Sequence, residues 1–156
     1  MTHRRVVAIV ANLAGSIAQR ELDTASHQLN WPADTLEILE TRDSPGPGNV
    51  VMIEIGSAGV TEVFTGFGRI GASAEKVASE AAGEARAYLA SRAVADEHLA
   101  DQILLPFALA GAGTFTATKI SLHARTNIGI ISMFLPIHFA MEKSDDFVRV
   151  EVAART

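Results

Sequence analysis

No cysteine occurs among the 156 residues, which removes disulfide staples and thiolate metal ligands. Long apolar runs are missing too. No stretch reaches the roughly 20 residues that a membrane helix needs, and no basic flank followed by an apolar segment opens the chain as a signal peptide does. A cytoplasmic protein without membrane contact is the expectation. Clustered positive charge is the third absence: 13 Lys and Arg are scattered against 18 Asp and Glu, for a formal net charge of −5. That balance excludes a broad polyanion-binding surface, so any nucleic acid contact must be local. The five histidines contain no His-x-x-x-His pair, and a zinc site is not expected.

What is present is apolar residue, 48% of the chain, enough for a packed core in one domain or two small ones. "RRVVAIVANL" (Arg4 to Leu13) is β-branched and predicts a buried strand. Ser16 with Gln19 three residues on forms a capping-box pattern for a helix to about Leu29, with Ala18, Leu22, Ala25 and Leu29 on one face. "DTLEILET" (Asp34 to Thr41) predicts a strand, and "SPGPGN" (Ser44 to Asn49) a loop. "VVMIEIG" and "VTEVFTG" flank Ser57, Ala58 and Gly59 as a hairpin would, and Ser73 opens a second helix. Up to about Ala93 the order is β-α-β-β-β-α. Beyond it come a helix from about Asp96 to Ala110, which Pro106 should kink or segment, and a strand "TFTATK". A short helix and two closing strands around "PIHFAME" and "FVRVEVA" complete the chain. No internal repeat is visible.

Two segments carry residues with chemistry. In "DEHLADQILLPFALAGAG" (Asp96 to Gly113), helical spacing places His98, Asp101 and Gln102 on one face. The acids of that segment equally suit the positive end of a helix dipole with no further role. In "SLHARTN" (Ser121 to Asn127), Thr126 and Asn127 look like the cap of a short helix "IGIISMFL", with His123 just upstream. A histidine there either bonds a loop carbonyl or meets negative charge arriving at the helix start. His3, His27 and His138 have only structural readings.

The same two segments, with "AQRE" (Ala18 to Glu21), "GPGN" (Gly46 to Asn49) and "AEKVA" (Ala74 to Ala78) upstream, resemble the C-terminal region of the RNA 3′-terminal phosphate cyclase family. The resemblance covers nearly the whole chain. It implies an α+β fold: a small β-α-β-β-β-α inserted domain over residues 1–93, then over 94–156 the incomplete C-terminal part of a catalytic domain built from βαβαββ repeats. It also implies a reaction in three steps. A histidine takes AMP from ATP as histidyl-AMP, AMP passes to an RNA 3′-phosphate, and the neighbouring 2′-hydroxyl closes a 2′,3′-cyclic phosphate.

His123 aligns with that nucleophile. The stretch His98, Leu99, Ala100, Asp101 and Gln102 aligns with part of the nucleotide site. There a ring at His98 stacks on adenine, Asp101 orients the imidazole or helps hold the Mg2+ (or Mn2+) that accompanies ATP, and Gln102 bonds the nucleotide. The metal ligands themselves are not identifiable in these residues. The family's pattern is broken at Ala14, Gly15 and Ser16, and again at Ser132, Met133 and His138, where charged or basic residues are usual.

Family chains are roughly twice this long, so the partners expected are RNA 3′-phosphate ends and the N-terminal half of the cyclase fold, in cis or in trans. This chain would then be a C-terminal fragment or a split subunit, inactive alone and inclined to form homo-oligomers. The alternatives are a non-catalytic cyclase-like scaffold in RNA processing, an inactive remnant, and a bare binding module. A scaffold of that kind lacks the nucleophilic histidine, and His123 speaks against it.

Overall fold

In a computed structural model, described for residues 1–155, the chain divides into two compact units, Met1–Ala87 and Tyr88–Thr156. Each is α+β.

The first unit is built on a four-stranded sheet of β1 (His3–Ala11), β2 (Leu36–Thr41), β3 (Gly48–Ser57) and β4 (Val60–Phe67), in the order β2-β1-β3-β4. β1 lies inside this sheet, parallel to β2 and antiparallel to β3. That position explains its near-continuous apolar sequence, since Val6, Val7, Ala8 and Val10 are all at most 4% exposed. The parallel pairing requires a crossover, which helix α1 (Gly15–Leu29) supplies by burying Ala18, Leu22 and Ala25. Asn30 ends that helix in the left-handed region at φ 53°. Trp31 follows it into the core, with the Arg4 guanidinium 5.6 Å above its ring. Helix α2 (Ala74–Ala90) closes the unit, burying Val77, Ala78, Ala81, Ala82 and Ala85, with Val77 set over Gly66 of β4. A Cβ at Gly66 would meet the Val77 carbonyl oxygen at 2.6 Å.

The predicted β-α-β-β-β-α order is present, with two local corrections. The N-cap of α1 is Ala14, without a side-chain cap, and Ser16 lies inside the first turn. Gln19 therefore does not complete a capping box but donates to Asp23 at 2.8 Å. The "SPGPGN" stretch is loop only as far as Pro47, because Gly48 and Asn49 pair with Ala11 and Val10.

The second unit contains α3 (Glu97–Ala110), β5 (Ala112–Ala117), α4 (Leu122–Phe134), β6 (Ile137–Lys143) and β7 (Val148–Ala154). The strands form an antiparallel sheet in the order β5-β7-β6. A single parallel bridge from Ala95 to Ala117 stands where a first strand would run. Counted with it, the unit follows βαβαββ order. Its core is Ala100, Leu104 and Ala108 of α3, Ala124 of α4, and Phe115, Phe139, Val150 and Val152 of the sheet.

Pro106 does not segment α3, which runs unbroken to a Gly111 cap at φ 78°. The proline is exposed, so the carbonyl it leaves without a donor is within reach of solvent. No helix among the described residues is long and apolar enough to cross a membrane.

Candidate active site

Helix α3 begins at Asp96, whose carboxylate accepts the Leu99 N–H at 2.6 Å. This is the acidic-cap role open to the segment, and it falls to Asp96. One turn on, Ala100 is fully buried, which turns its neighbour Asp101 toward the flank of the helix with its side chain 18% exposed.

Helix α4 begins earlier than the apolar pattern suggests. Ser121 is its N-cap, accepting the Ala124 N–H at 3.0 Å. Thr126 and Asn127 are therefore not a cap. The Thr126 hydroxyl bonds back to the Leu122 carbonyl at 3.0 Å. The apolar periodicity begins only at Ile128, so hydrophobic pattern alone places the start too late, while the serine side chain decides it. His123 consequently sits within the first turn of α4 rather than ahead of it.

Helices α3 and α4 pack on one another, with Ala100 and Ala124 both at 0% exposure. Across this junction His123 Nδ1 lies 2.7 Å from Asp101 Oδ2, and Asn127 Nδ2 donates to Asp101 Oδ1 at 2.7 Å. His123 and Asn127 are four residues apart and so share one face of α4. The His123 side chain is 76% exposed. Its ring is tethered at one nitrogen and open at the other.

The remaining nucleotide-site residues are not gathered around His123. The His98 side chain is 70% exposed, with Nε2 4.0 Å from Glu97 Oε1, and Gln102 is exposed on the same helix. Leu99 packs half-buried against the core. Ala100 is wholly inside it, so neither its side chain nor its backbone is open to a ligand. Glu97 is paired instead with Lys119 at 2.9 Å. Of the five aligned residues, Asp101 alone reaches the histidine. Asn127 is the site residue that sequence reading missed, although its i+4 spacing from His123 was the available signal.

The arrangement can oppose the charge of a phosphate electrophile. A helix N-terminal turn with no acidic residue faces outward beside an uncommitted imidazole nitrogen. Each oxygen of Asp101 already has a protein donor, and among the described residues no three His, Cys, Asp or Glu side chains gather into a metal-holding group.

These features define the class: an α+β chain whose second unit, in βαβαββ order, carries a His–carboxylate pair at a helix start. The sequence model described as RNA 3'-terminal phosphate cyclase (RTC), insert domain, matches residues 1–90, and the chain belongs to the RNA 3′-terminal phosphate cyclase family. A protein of Koribacter versatilis (strain Ellin345) named RNA 3'-terminal phosphate cyclase is 51% identical over 152 residues, covering 97% of this chain and 43% of that relative. Relatives of the same name from Ectopseudomonas mendocina (strain ymp) and Salmonella agona (strain SL483) are 41% and 40% identical, covering 96% and 97% of this chain and 44% of their own lengths. The chain thus spans less than half the length of these relatives.

Proposed function

We propose that this chain carries the nucleophile of an ATP-dependent RNA 3′-terminal phosphate cyclase. The supporting observation is the 2.7 Å contact between His123 Nδ1 and Asp101 Oδ2. A carboxylate only accepts, so this hydrogen bond places the ring proton on Nδ1 and leaves the Nε2 lone pair outward as the nucleophile.

In the proposed reaction Nε2 attacks the α-phosphorus of ATP. A P–N bond forms, the bond to the bridging oxygen breaks, and pyrophosphate leaves. An oxygen of the RNA 3′-phosphate then attacks the same phosphorus, releasing the imidazole and giving an RNA–adenylate anhydride. The 2′-hydroxyl finally attacks the RNA phosphorus, expelling AMP, losing its proton and closing the 2′,3′-cyclic phosphate. Backbone N–H groups in the first turn of α4 oppose the charge that builds on the α-phosphate. Asp101 holds the ring in its productive tautomer and stabilises the cation that develops on attack.

Mg2+ or Mn2+ accompanying ATP would neutralise charge on its phosphates. His98 and Gln102, exposed on α3, are the residues proposed to contact the nucleotide base and its polar groups. The part of the relatives' length that this chain does not span completes the nucleotide and RNA sites, in cis or in trans.

The test is covalent labelling with α-labelled ATP, in the presence of the complementary part of the fold. Wild-type chain should take up an acid-labile label, as a P–N bond requires, and His123→Ala should take up none. Label that persists in the variant would refute the assignment.

A further inference from the structure

Asp101 is gripped at both oxygens by one helix. His123 takes Oδ2 and Asn127 takes Oδ1, each at 2.7 Å, from successive turns of α4. We infer that Asn127 is a positioning residue for the nucleophile: by fixing the Asp101 carboxylate from behind, it sets the tautomer of His123. The inference rests on the reading of His123 as nucleophile.

The argument begins with freedom of rotation. A carboxylate held at one oxygen can turn about its terminal torsion, which is broad and roughly two-fold, and can swing either oxygen toward the ring or away from it. The Asp101 side chain is 18% exposed and that of His123 76%, so water competes for both partners. A donor on Oδ1 removes that freedom on the shielded side, where Asn127 is half-buried. The amide orientation is dictated by chemistry, since turning it would set the amide oxygen against a carboxylate oxygen.

With Oδ1 committed to Asn127, Oδ2 faces Nδ1. The ring therefore carries its proton on Nδ1 and presents Nε2 unprotonated. An exposed imidazole without such a partner divides its neutral form between two tautomers, one of which has no lone pair at Nε2. The i,i+4 placement of His123 and Asn127 makes the device a property of one helix face, so the register of α4 against α3 sets both contacts together.

Long-range 1H–15N correlation on the 15N-histidine-labelled chain measures the tautomer directly, with exposed His138 as the internal reference. In the wild type, His123 should show Nδ1 protonated and Nε2 bare. Asn127→Leu, which keeps the branched heavy-atom skeleton but has no donor, should bring His123 to the tautomer mixture of His138. Asn127→Gln keeps a donor and should restore much of the Nδ1–H form. The backbone 1H–15N amide spectrum checks that the variants fold, and Asn127→Ala offers a smaller donor-free substitute if Leu does not. In the labelling assay with the complementary part supplied, Asn127→Leu should slow adenylylation by about 10–100-fold, the usual cost of losing a group that orients a functional histidine, with the ATP concentration for half-maximal rate unchanged. An unaltered tautomer in folded Asn127→Leu overturns the inference, as does a changed tautomer with an unaltered rate. Absence of label on the wild type would instead remove the nucleophile reading, and the tautomer measurement would still decide what Asn127 does.

Discussion

The two units use charge for opposite ends. In Met1–Ala87, Arg5 meets Glu54 at 2.9 Å and Glu37 at 3.2 Å, Arg20 meets Glu75 at 2.6 Å, and Arg69 meets Glu80 at 2.7 Å. Arg20 holds the Glu75 carboxyl down at about 2. A guanidinium stays protonated at any physiological pH and has no lone pair to lend, so in these pairs the base is chemically closed. In the second unit Glu97 pairs with Lys119 in a like manner, whereas the carboxylate of Asp101 faces a histidine and an amide. That pairing orients the ring while leaving a nitrogen uncommitted. The number of ion pairs thus says little about where reactive chemistry resides, whereas the identity of the base in the pair says a good deal.

Burial differs in the same sense. The first unit places a carboxyl inside its core: Glu21 is 0% exposed, accepts from Asn49 at Oε1, and has no partner at Oε2 among the described residues. The second unit exposes His123 over a half-buried Asp101 and Asn127 and fills its core with Leu104, Phe115, Val150 and small residues.

The comparison breaks most visibly through Leu104→Ala. Leu104 is fully buried at the centre of the second unit's core, and truncation there should cost about 2–5 kcal/mol of that unit's stability. Hydrogen exchange read residue by residue would show it, with the amides of β5, β7 and α3 losing protection while those of Val6 and Ile53 keep theirs. Equal loss in both units would mean that they unfold as one and that the contrast above is only descriptive.

Asp101→Asn comes next. It preserves shape but replaces an acceptor-only group with one that can donate to the ring, so adenylylation should slow by about two orders of magnitude with melting behaviour preserved. A rate equal to wild type would return Asp101 to a helix-surface role.

The smallest effect is expected from Glu21→Gln. Burial pushes the Glu21 carboxyl above its ordinary 4.5, with the Asn49 hydrogen bond opposing. In a folded state that prefers the neutral form, the associated stability is fully present below the unfolded pKa and is lost as pH rises through the raised folded value. The glutamine should therefore match wild type in acid and melt higher at neutral pH, the gap opening as pH rises above about 4.5. Identical melting curves at neutral pH would show that the carboxyl carries no penalty there.

How much of this was legible in the chain depends on the range of the signal. Valine and isoleucine at Val6 to Val10, the Ala58-Gly59 turn and Ser73 at the start of α2 are local patterns, and each produced the element it predicts, because the hydrophobic period and the turn and cap residues act within a few positions. The extent of α4 was misplaced by five residues or so because Ser121 caps it through a side-chain bond, to which hydrophobic period is blind. Pro106 misled for a related reason: whether a proline breaks a helix depends on what its freed carbonyl can reach, and that is set by exposure.

The candidate site shows the same division. Residue types and the family pattern were enough to single out His123 and the stretch around Asp101. Which of the aligned side chains meets the histidine was decided only when α3 and α4 packed through Ala100 and Ala124, bringing together residues 22 and 26 positions apart in the chain. That packing buries Ala100, leaves His98 and Gln102 outward, and recruits Asn127. Sequence carries the chemistry of each side chain and the period of each helix. The rotation of one helix against another is settled by the fit of buried surfaces, and here that fit determines which oxygen of Asp101 faces which nitrogen of His123.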